Sequence, residues 1–319
     1  MTLRGRSVLV TGANGFVGPH VVRALAAAGA RVHGAGLGSA PADSPLDSWC
    51  ACDVLDPAAS DAAVSTARPD AVVHLAGQSS AARSFEQPVE TFRLNVAGTA
   101  LVLEALLRVA PKARVLVVGS SEVYGPQPEG SRVAEDAPFR PVSPYALSKA
   151  AAESLALTLA AEHGLDVVAT RSFGHTGPGQ DARFAVPSFA QQIAAIEAGR
   201  AEPVLHVGNL EVTRDLCDVR DVAHAYVALL ERGAARRVYN VCRGEGVGLT
   251  TLVESLVAMA RATVRIEPDP ARMRPADLPW LVGDPSAIAR DTDWRAGIAL
   301  EQTLADVLEE WRGRERAGG

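Results

Sequence analysis

Short runs of apolar, β-branched residues recur along the first half of the chain, each followed by a longer stretch whose apolar positions fall at helical spacing. "SVLVTG" predicts a strand and "FVGPHVVRALAAAG" a helix closed by Gly29, while "RVHGAG" and "PDAVVHLAG" predict strands and "TALVLEALLRVA" a helix. "ARVLVVGSS" and "DVVATRSF" read as further strands. Between them "SPYALSKAAAES" opens a helix in which Ala146, Leu147, Ala150, Ala151, Leu155 and Leu159 recur at helical intervals, with Ser143 placed to cap it and Pro144 at its first position. Strands that are apolar throughout, separated by helices, predict a doubly wound α/β fold. Its parallel sheet is covered on both faces and its ligands bind at the carboxyl ends of the strands.

After Gly177 the pattern loosens: "GPGQDARFAVPSF", "AGRAEPVLHVGNLEVTRDLCDVRD" and "EPDPARMRPADLPWLVGDPS" mix short elements with many turn residues. The division predicted is a first unit over residues 1–174 and a smaller lobe over 175–319, with segments such as "VYNVC" returning to the sheet. The final "RGRERAGG" reads as a polar tail.

Composition narrows the classes of function. Of 319 residues, 48% are hydrophobic and 21% charged, with a formal net charge of -6; this is the make-up of a globular protein without a basic face for nucleic acid. The chain enters its first strand almost at once, and no apolar run reaches the eighteen or so residues of a membrane span, so a cytoplasmic protein is expected. Cys50 and Cys52 form the one close pair among four cysteines. Their C-x-C spacing suits neither a zinc knuckle nor a redox pair, and no metal is expected.

Two clusters carry chemistry. Gly12, Gly15 and Gly18 of "VLVTGANGFVG" stand between the first strand and first helix, where glycines permit close backbone approach and a helix N-terminus offers N–H groups and partial positive charge to a pyrophosphate. Tyr145 and Lys149 lie four residues apart, on one face of their helix.

The spacing G-x-x-G-x-x-G, with "HLAG" at 74–77, "LNVAGT" at 94–99, "SSEVYG" at 120–125 and the Tyr145/Lys149 pair, resembles an extended short-chain dehydrogenase/reductase over nearly the whole chain. The resemblance implies a nicotinamide dinucleotide held by the loop Gly12, Asn14, Gly15, Phe16, Val17 and Gly18. Asp53 and Val54 would flank the adenine, Leu75, Ala76 and Gly77 would line the cleft, and Asn95 would support it. Lys149 would hold the nicotinamide ribose, and His175 either contacts the cofactor or caps a loop. The second strand runs into "HGAGLGSAPADS" without the acid that suits NAD or the arginine that suits NADP. The reading leans to NADP and leaves NAD open.

Hydride transfer at a sugar carbon needs a proton handled on the attached oxygen. Tyr145 is expected to handle it, with the Lys149 ammonium drawing the phenol toward the neutral range and Ser120 hydrogen-bonding the reacting oxygen. "RSFGHTGPGQDARFAVPSFAQQI", "GNLEVTRDLCDVRDVAHAY", "YNVCRGEGVGL" and "RMRPADLPWLVGDPS" resemble the group of GDP-mannose 4,6-dehydratases and GDP-4-keto-6-deoxy-mannose reductases. The resemblance implies a GDP-sugar whose diphosphate is gripped by Arg214 and Arg274, both suited to phosphate oxygens, with Gln78, Ser121, Arg183, Val186, Asn209 and Asp277 as further substrate contacts. The dehydratases resemble one another in a Thr-Ser-Glu triplet and an Arg-rich loop after the second strand. Here the triplet is Ser120-Ser121-Glu122 and the loop lacks basic residues. Glu122 keeps elimination open, yet the two departures favour C4-keto reduction. Behind the reductase stand the 4,6-dehydratase, a C4 epimerase and a catalytically idle nucleotide-binding protein. "RSFGH" places Gly174 where the group has Asn, which bears on how the sugar is oriented. The resemblance also implies a homodimer through a helix bundle that includes the Tyr145 helix.

Overall fold

The computed structural model describes residues 1–273 and 278–318. Strands β1 (Ser7–Thr11), β2 (Arg31–Gly36), β3 (Ser48–Ala51), β4 (Ala71–His74), β5 (Arg114–Ser120) and β6 (Asp166–Ser172) alternate with helices. After an excursion through β7 (Gly174–Thr176), β8 (Val204–Val207) and β9 (Thr213–Asp218), β10 (Val238–Val241) comes back beside β6. The central sheet has the order β10-β6-β5-β4-β1-β2-β3, every neighbouring pair parallel. It reverses direction at β1, which puts a crevice at the carboxyl ends of β1 and β4.

Helices cover both faces, as the wholly apolar strands require. Ahead of them in chain order stand α1 (Gly18–Ala27), α2 (Pro57–Ala67), α3 (Ala81–Glu86), α4 (Pro88–Phe92), α5 (Gly98–Val109), α6 (Pro144–His163), α7 (Ala185–Glu197) and α8 (Val219–Arg232). On one side Val21, Val22 and Leu25 of α1 pack with Val222, Tyr226 and Leu229 of α8 over Val8, Val10 and Val73. On the other, Ala63 and Val64 of α2, Val102 and Leu106 of α5, and Ala156 and Ala160 of α6 cover Leu9, Val72 and Val115. Each Val or Leu among them removed from water contributes about 1.5–3 kcal/mol.

The later part of the chain adds β11 (Gly246–Gly248), α9 (Leu249–Ala258), β12 (Arg265–Pro268), β13 (Trp280–Leu281), α10 (Ser286–Thr292) and α11 (Leu300–Arg316). Helices α7, α9 and α11 close around Phe189, Ile193, Leu256 and Leu308 as a separate apolar cluster. Strand β9 is flanked by β11 and β13 and also pairs with β7, so a small second sheet stands over the mouth of the crevice. Among the described residues, no helix is long and apolar enough to cross a membrane.

Local sequence explains the element that matters most. Ser143 Oγ accepts from the N–H of Ala146 at 3.0 Å, Pro144 fits the first turn, and Gly164 closes α6 in the left-handed region at φ 71°. Leu147, one of the helically spaced apolar residues of α6, is half exposed. The strand β3 and the helices α2, α3 and α4 have no counterpart in the sequence reading. Helix α2 is built from Ala and Ser, so its two faces hardly differ in polarity.

Candidate active site

Between the two sheets lies a cleft of about 710 Å³, within the range of about 300–1,000 Å³ usual for small-molecule sites. One end is the loop from β1 to α1. Gly12 has φ 67°, and a Cβ there would lie 2.8 Å from the Ala76 nitrogen; at Gly18 it would lie 2.2 Å from the Ala13 oxygen. These two positions admit only glycine, Gly12 because the loop is folded tightly against the residues after β4 and Gly18 because the start of α1 packs on the backbone of Ala13. No side chain caps α1; the Gly18 N–H turns back to the Gly15 carbonyl at 3.2 Å and Pro19 has none, so what the helix end offers an anion beside Gly15, Phe16 and Val17 is its partial positive charge. The residues present therefore suit the pyrophosphate of a dinucleotide.

The floor continues past Leu75 and Gly77 to Ser120, Ser121, Glu122, Tyr145 and Lys149. A Cβ on Gly77 would stand 2.7 Å from Asn95 Oδ1, so the bare backbone lets Asn95 reach across. Asn95 Oδ1 accepts from the Gln78 N–H at 2.8 Å, while its Nδ2 donates to the Gln78 carbonyl at 3.1 Å and to Ser148 Oγ at 2.9 Å. Thus a buried amide ties the strand-end turn to α6. Behind it His74 bridges Thr11 and Thr99, and burial, helped by the nearby Lys149 charge, lowers its pKa to about 3, so the ring is neutral.

Ser120 ends β5 and caps the following turn, accepting from the Glu122 N–H at 3.2 Å. Its side chain is within reach of the Tyr145 phenol, where hydrogen bonding favours the phenolate. Burial raises the Tyr145 pKa, the Glu122 carboxylate raises it further, and the Ser120 bond only partly opposes them. Lys149 is half-buried on the cleft wall; removal of its ammonium from solvent lowers its pKa to about 8, and its Nζ donates to the Val118 carbonyl at 3.0 Å. Here the structure departs from the sequence expectation. Burial of Tyr145 works against the phenolate that the Lys149 ammonium is expected to favour.

His175 stands on β7 with its ring stacked on Phe16 at 6.0 Å and 7°. Its Nδ1 pairs with the Phe173 carbonyl at 2.9 Å, and burial lowers its pKa. It both lines the cleft and joins the glycine loop to the second sheet. Other positions named from the sequence lie off the cleft wall. Asn14 donates its amide to the Leu37 carbonyl, linking the glycine loop to the turn after β2. Ala76 takes its N–H to Thr11 Oγ1. Asp53 is exposed at the end of β3, with its carboxylate on the Leu55 N–H, and Val54 is buried against Gly98.

At the far end Gln78, Arg183, Val186, Asn209 and Arg214 line the cleft. The Gln78 amide is engaged with Ser80 and Thr91. Arg183 pairs with Asp181 in solvent, Asn209 accepts from the Glu211 N–H, and Arg214 donates to the carbonyls of Thr213 and Leu278. Arg274 and Asp277 fall outside the described residues. Arg272, two positions earlier in the same "RMRP" run, was missed and lines the cleft; it donates to Ser188 Oγ at 3.1 Å. Ser172 also reaches the cleft without having been named, with Tyr226 buried behind it. The signal available for Ser172 was its place at the end of a strand like that of Ser120.

Residues 8–242 match the family described as "NAD dependent epimerase/dehydratase family". The chain is 37% identical to GDP-6-deoxy-D-mannose reductase of Pseudomonas aeruginosa, covering 97% of this chain and 98% of that one. Among solved structures it is similar to RMD from Pseudomonas aeruginosa complexed with NADPH, with a TM-score of 0.86, 34% identity and coverage of 97% and 98%. The UDP-glucose 4-epimerase of Thermus thermophilus in complex with NAD gives a TM-score of 0.85 at 30% identity, covering 96% and 99%.

Proposed function

The chain belongs to the NAD dependent epimerase/dehydratase family, and we propose that it is an NAD(P)H-dependent reductase of the C4 keto group of a GDP-4-keto-6-deoxy sugar. The observation that carries this reading is the meeting of Ser120, Tyr145 and Lys149 on the wall of one cleft, where burial favours the protonated phenol. A ketone being reduced needs an acid. Near-full-length similarity to a protein named as a GDP-6-deoxy-sugar reductase supports the choice of substrate, and the NADPH of its structural neighbour supports the lean to NADP.

The glycine loop and the α1 N-terminus would hold the pyrophosphate, and Lys149 and His175 the nicotinamide end. A bound reduced nicotinamide supplies the hydride for C4. As the carbonyl oxygen gains charge, Ser120 donates to it and Tyr145 delivers its proton. Ser120 accepts the Glu122 N–H, which leaves its own hydrogen free to turn toward the substrate. General acid catalysis of this kind contributes about 10²–10⁴-fold. Arg214, Arg272 and Arg274 are proposed as diphosphate contacts, with Ser121, Gln78, Arg183, Val186, Asn209 and Asp277 around the sugar nucleotide. Residues 175–319 would thus form mainly the sugar-nucleotide lobe, apart from α8 and β10, which serve the main sheet.

Glu122 favours a second reading. It lies on the cleft wall close enough to act on Tyr145, where a 4,6-dehydratase would need a base. Incubation with GDP-mannose and with a GDP-4-keto-6-deoxy sugar separates the two. We place the protein in the cytoplasm as a homodimer formed through the helices around α6, where Val89 of α4 and Leu147 of α6 are 73% and 50% exposed. Sedimentation of the Leu147→Glu variant as a monomer supports that interface; an unchanged dimer moves it elsewhere.

A further inference from the structure

Ser172 ends β6 where Ser120 ends β5, and the two are register partners on adjacent strands. Ser172 faces the cleft, 7% exposed, and the chemistry above makes no use of it. Two buried hydroxyls stand beside it. The Tyr226 hydroxyl, from α8, is 2.7 Å from Ser172 Oγ, and Thr170 Oγ1, two residues back on the same side of β6, is 3.3 Å away. Tyr226 and Thr170 are both wholly buried.

Counting protons gives this cluster a direction. A phenol is a stronger donor and weaker acceptor than an alkyl hydroxyl, and burial raises the Tyr226 pKa, so it keeps its proton. In the arrangement adopted for the proposal below, the short bond runs from Tyr226 to Ser172. The Ser172 proton must go elsewhere. Thr170 at 3.3 Å lies beyond the usual O–H···O range of about 2.5–3.0 Å, whereas the cleft is open to Ser172 directly.

We propose that Ser172, turned by Tyr226, is a third hydroxyl donor at the reacting centre, beside Ser120 and Tyr145, offering its proton to an acceptor oxygen of the bound ligand. Tyr226 is a positioning residue that acts through Ser172. The acceptor is either the amide oxygen of the nicotinamide or an oxygen of the sugar. The inference rests on the function proposed above for what fills the cleft.

The experiment uses Ser172→Ala, and Tyr226→Phe as an isosteric companion that keeps the ring in the core. Dissociation constants are measured for NADPH and for 2′-phospho-ADP-ribose, which lacks the nicotinamide. They are also measured for GDP-mannose and for GDP, which lacks the sugar. Ser172→Ala is expected to weaken one complete ligand by about three- to tenfold, the scale of one net hydrogen bond, and to leave its truncated partner unchanged. Loss on NADPH assigns the acceptor to the nicotinamide amide, and loss on GDP-mannose assigns it to the sugar. Tyr226→Phe should weaken the same ligand by a smaller factor. Equal binding of both complete ligands by Ser172→Ala and wild type, or parallel loss of complete and truncated ligands, overturns the proposal alone; an unaffected Tyr226→Phe overturns the positioning role. Wild-type protein that binds neither NADPH nor GDP-mannose overturns the functional reading and this proposal with it.

Discussion

Lys149 donates its ammonium to the main-chain carbonyl of Val118 across 3.0 Å, two residues before Ser120 at the end of β5. Burial lowers its pKa to about 8 from an ordinary 10.5. Between those values the unfolded chain binds a proton that the folded chain does not, so stability rises with pH across that window and the cost of the buried charge is full below it. Lys149→Met is therefore expected to be more stable than wild type at neutral pH, with the advantage fading as pH rises from 8 toward 10.5. Urea unfolding of both proteins at matched pH values checks this. A constant difference would mean that Lys149 titrates alike in both states.

Tyr145 is expected to act as an acid, so Tyr145→Phe should lose about 10²-fold or more in turnover while the ring keeps its packing. Fluorescence titration with NADPH should give nearly wild-type affinity. Retention of more than about a tenth of the rate would remove Tyr145 from the acid role. Lys149→Ala should impair both rate and cofactor binding.

Asn95 pairs with both backbone groups of Gln78 and with Ser148. Removing the amide in Asn95→Ala leaves buried groups without partners, at about 1–3 kcal/mol each. A destabilisation of about 3 kcal/mol is expected in denaturant unfolding. A loss below about 0.5 kcal/mol would show that water replaces the side chain.

Arg214 and Arg272 stand on the wall of the cleft. Replacing either by Ala should weaken GDP binding by about 1.5–3 kcal/mol, the scale of a hydrogen bond to a charged group, and hardly alter NADPH binding. Calorimetric titration of GDP and NADPH reads both. Unchanged GDP affinity in both variants would move the diphosphate site away from these side chains.

Much of this was written in local pattern. The alternation of apolar strands and periodic helices gives the parallel sheet, and the glycine spacing and the four-residue step from Tyr145 to Lys149 give two ends of one cleft. What stayed hidden depends on tertiary contact. Strand β3 is short and half-buried, and is recognisable only where Trp49 lies against Gly34 and Gly36. The pairing of Ser172 with Tyr226 spans 54 positions, beyond any periodicity. Spacing shows the ammonium beside Tyr145 but not the extent of its burial.

The reductase reading is tested most directly by following reduced-cofactor absorbance with a GDP-4-keto-6-deoxy sugar and, separately, with GDP-mannose plus NADP. The account predicts one NADPH consumed per ketone reduced, with GDP-mannose returned unchanged, and only a modest slowing in Glu122→Gln because no elimination needs that carboxylate. A 4-keto product formed from GDP-mannose with no net change in cofactor, and abolished by Glu122→Gln, would contradict it and make Glu122 the base of a dehydratase.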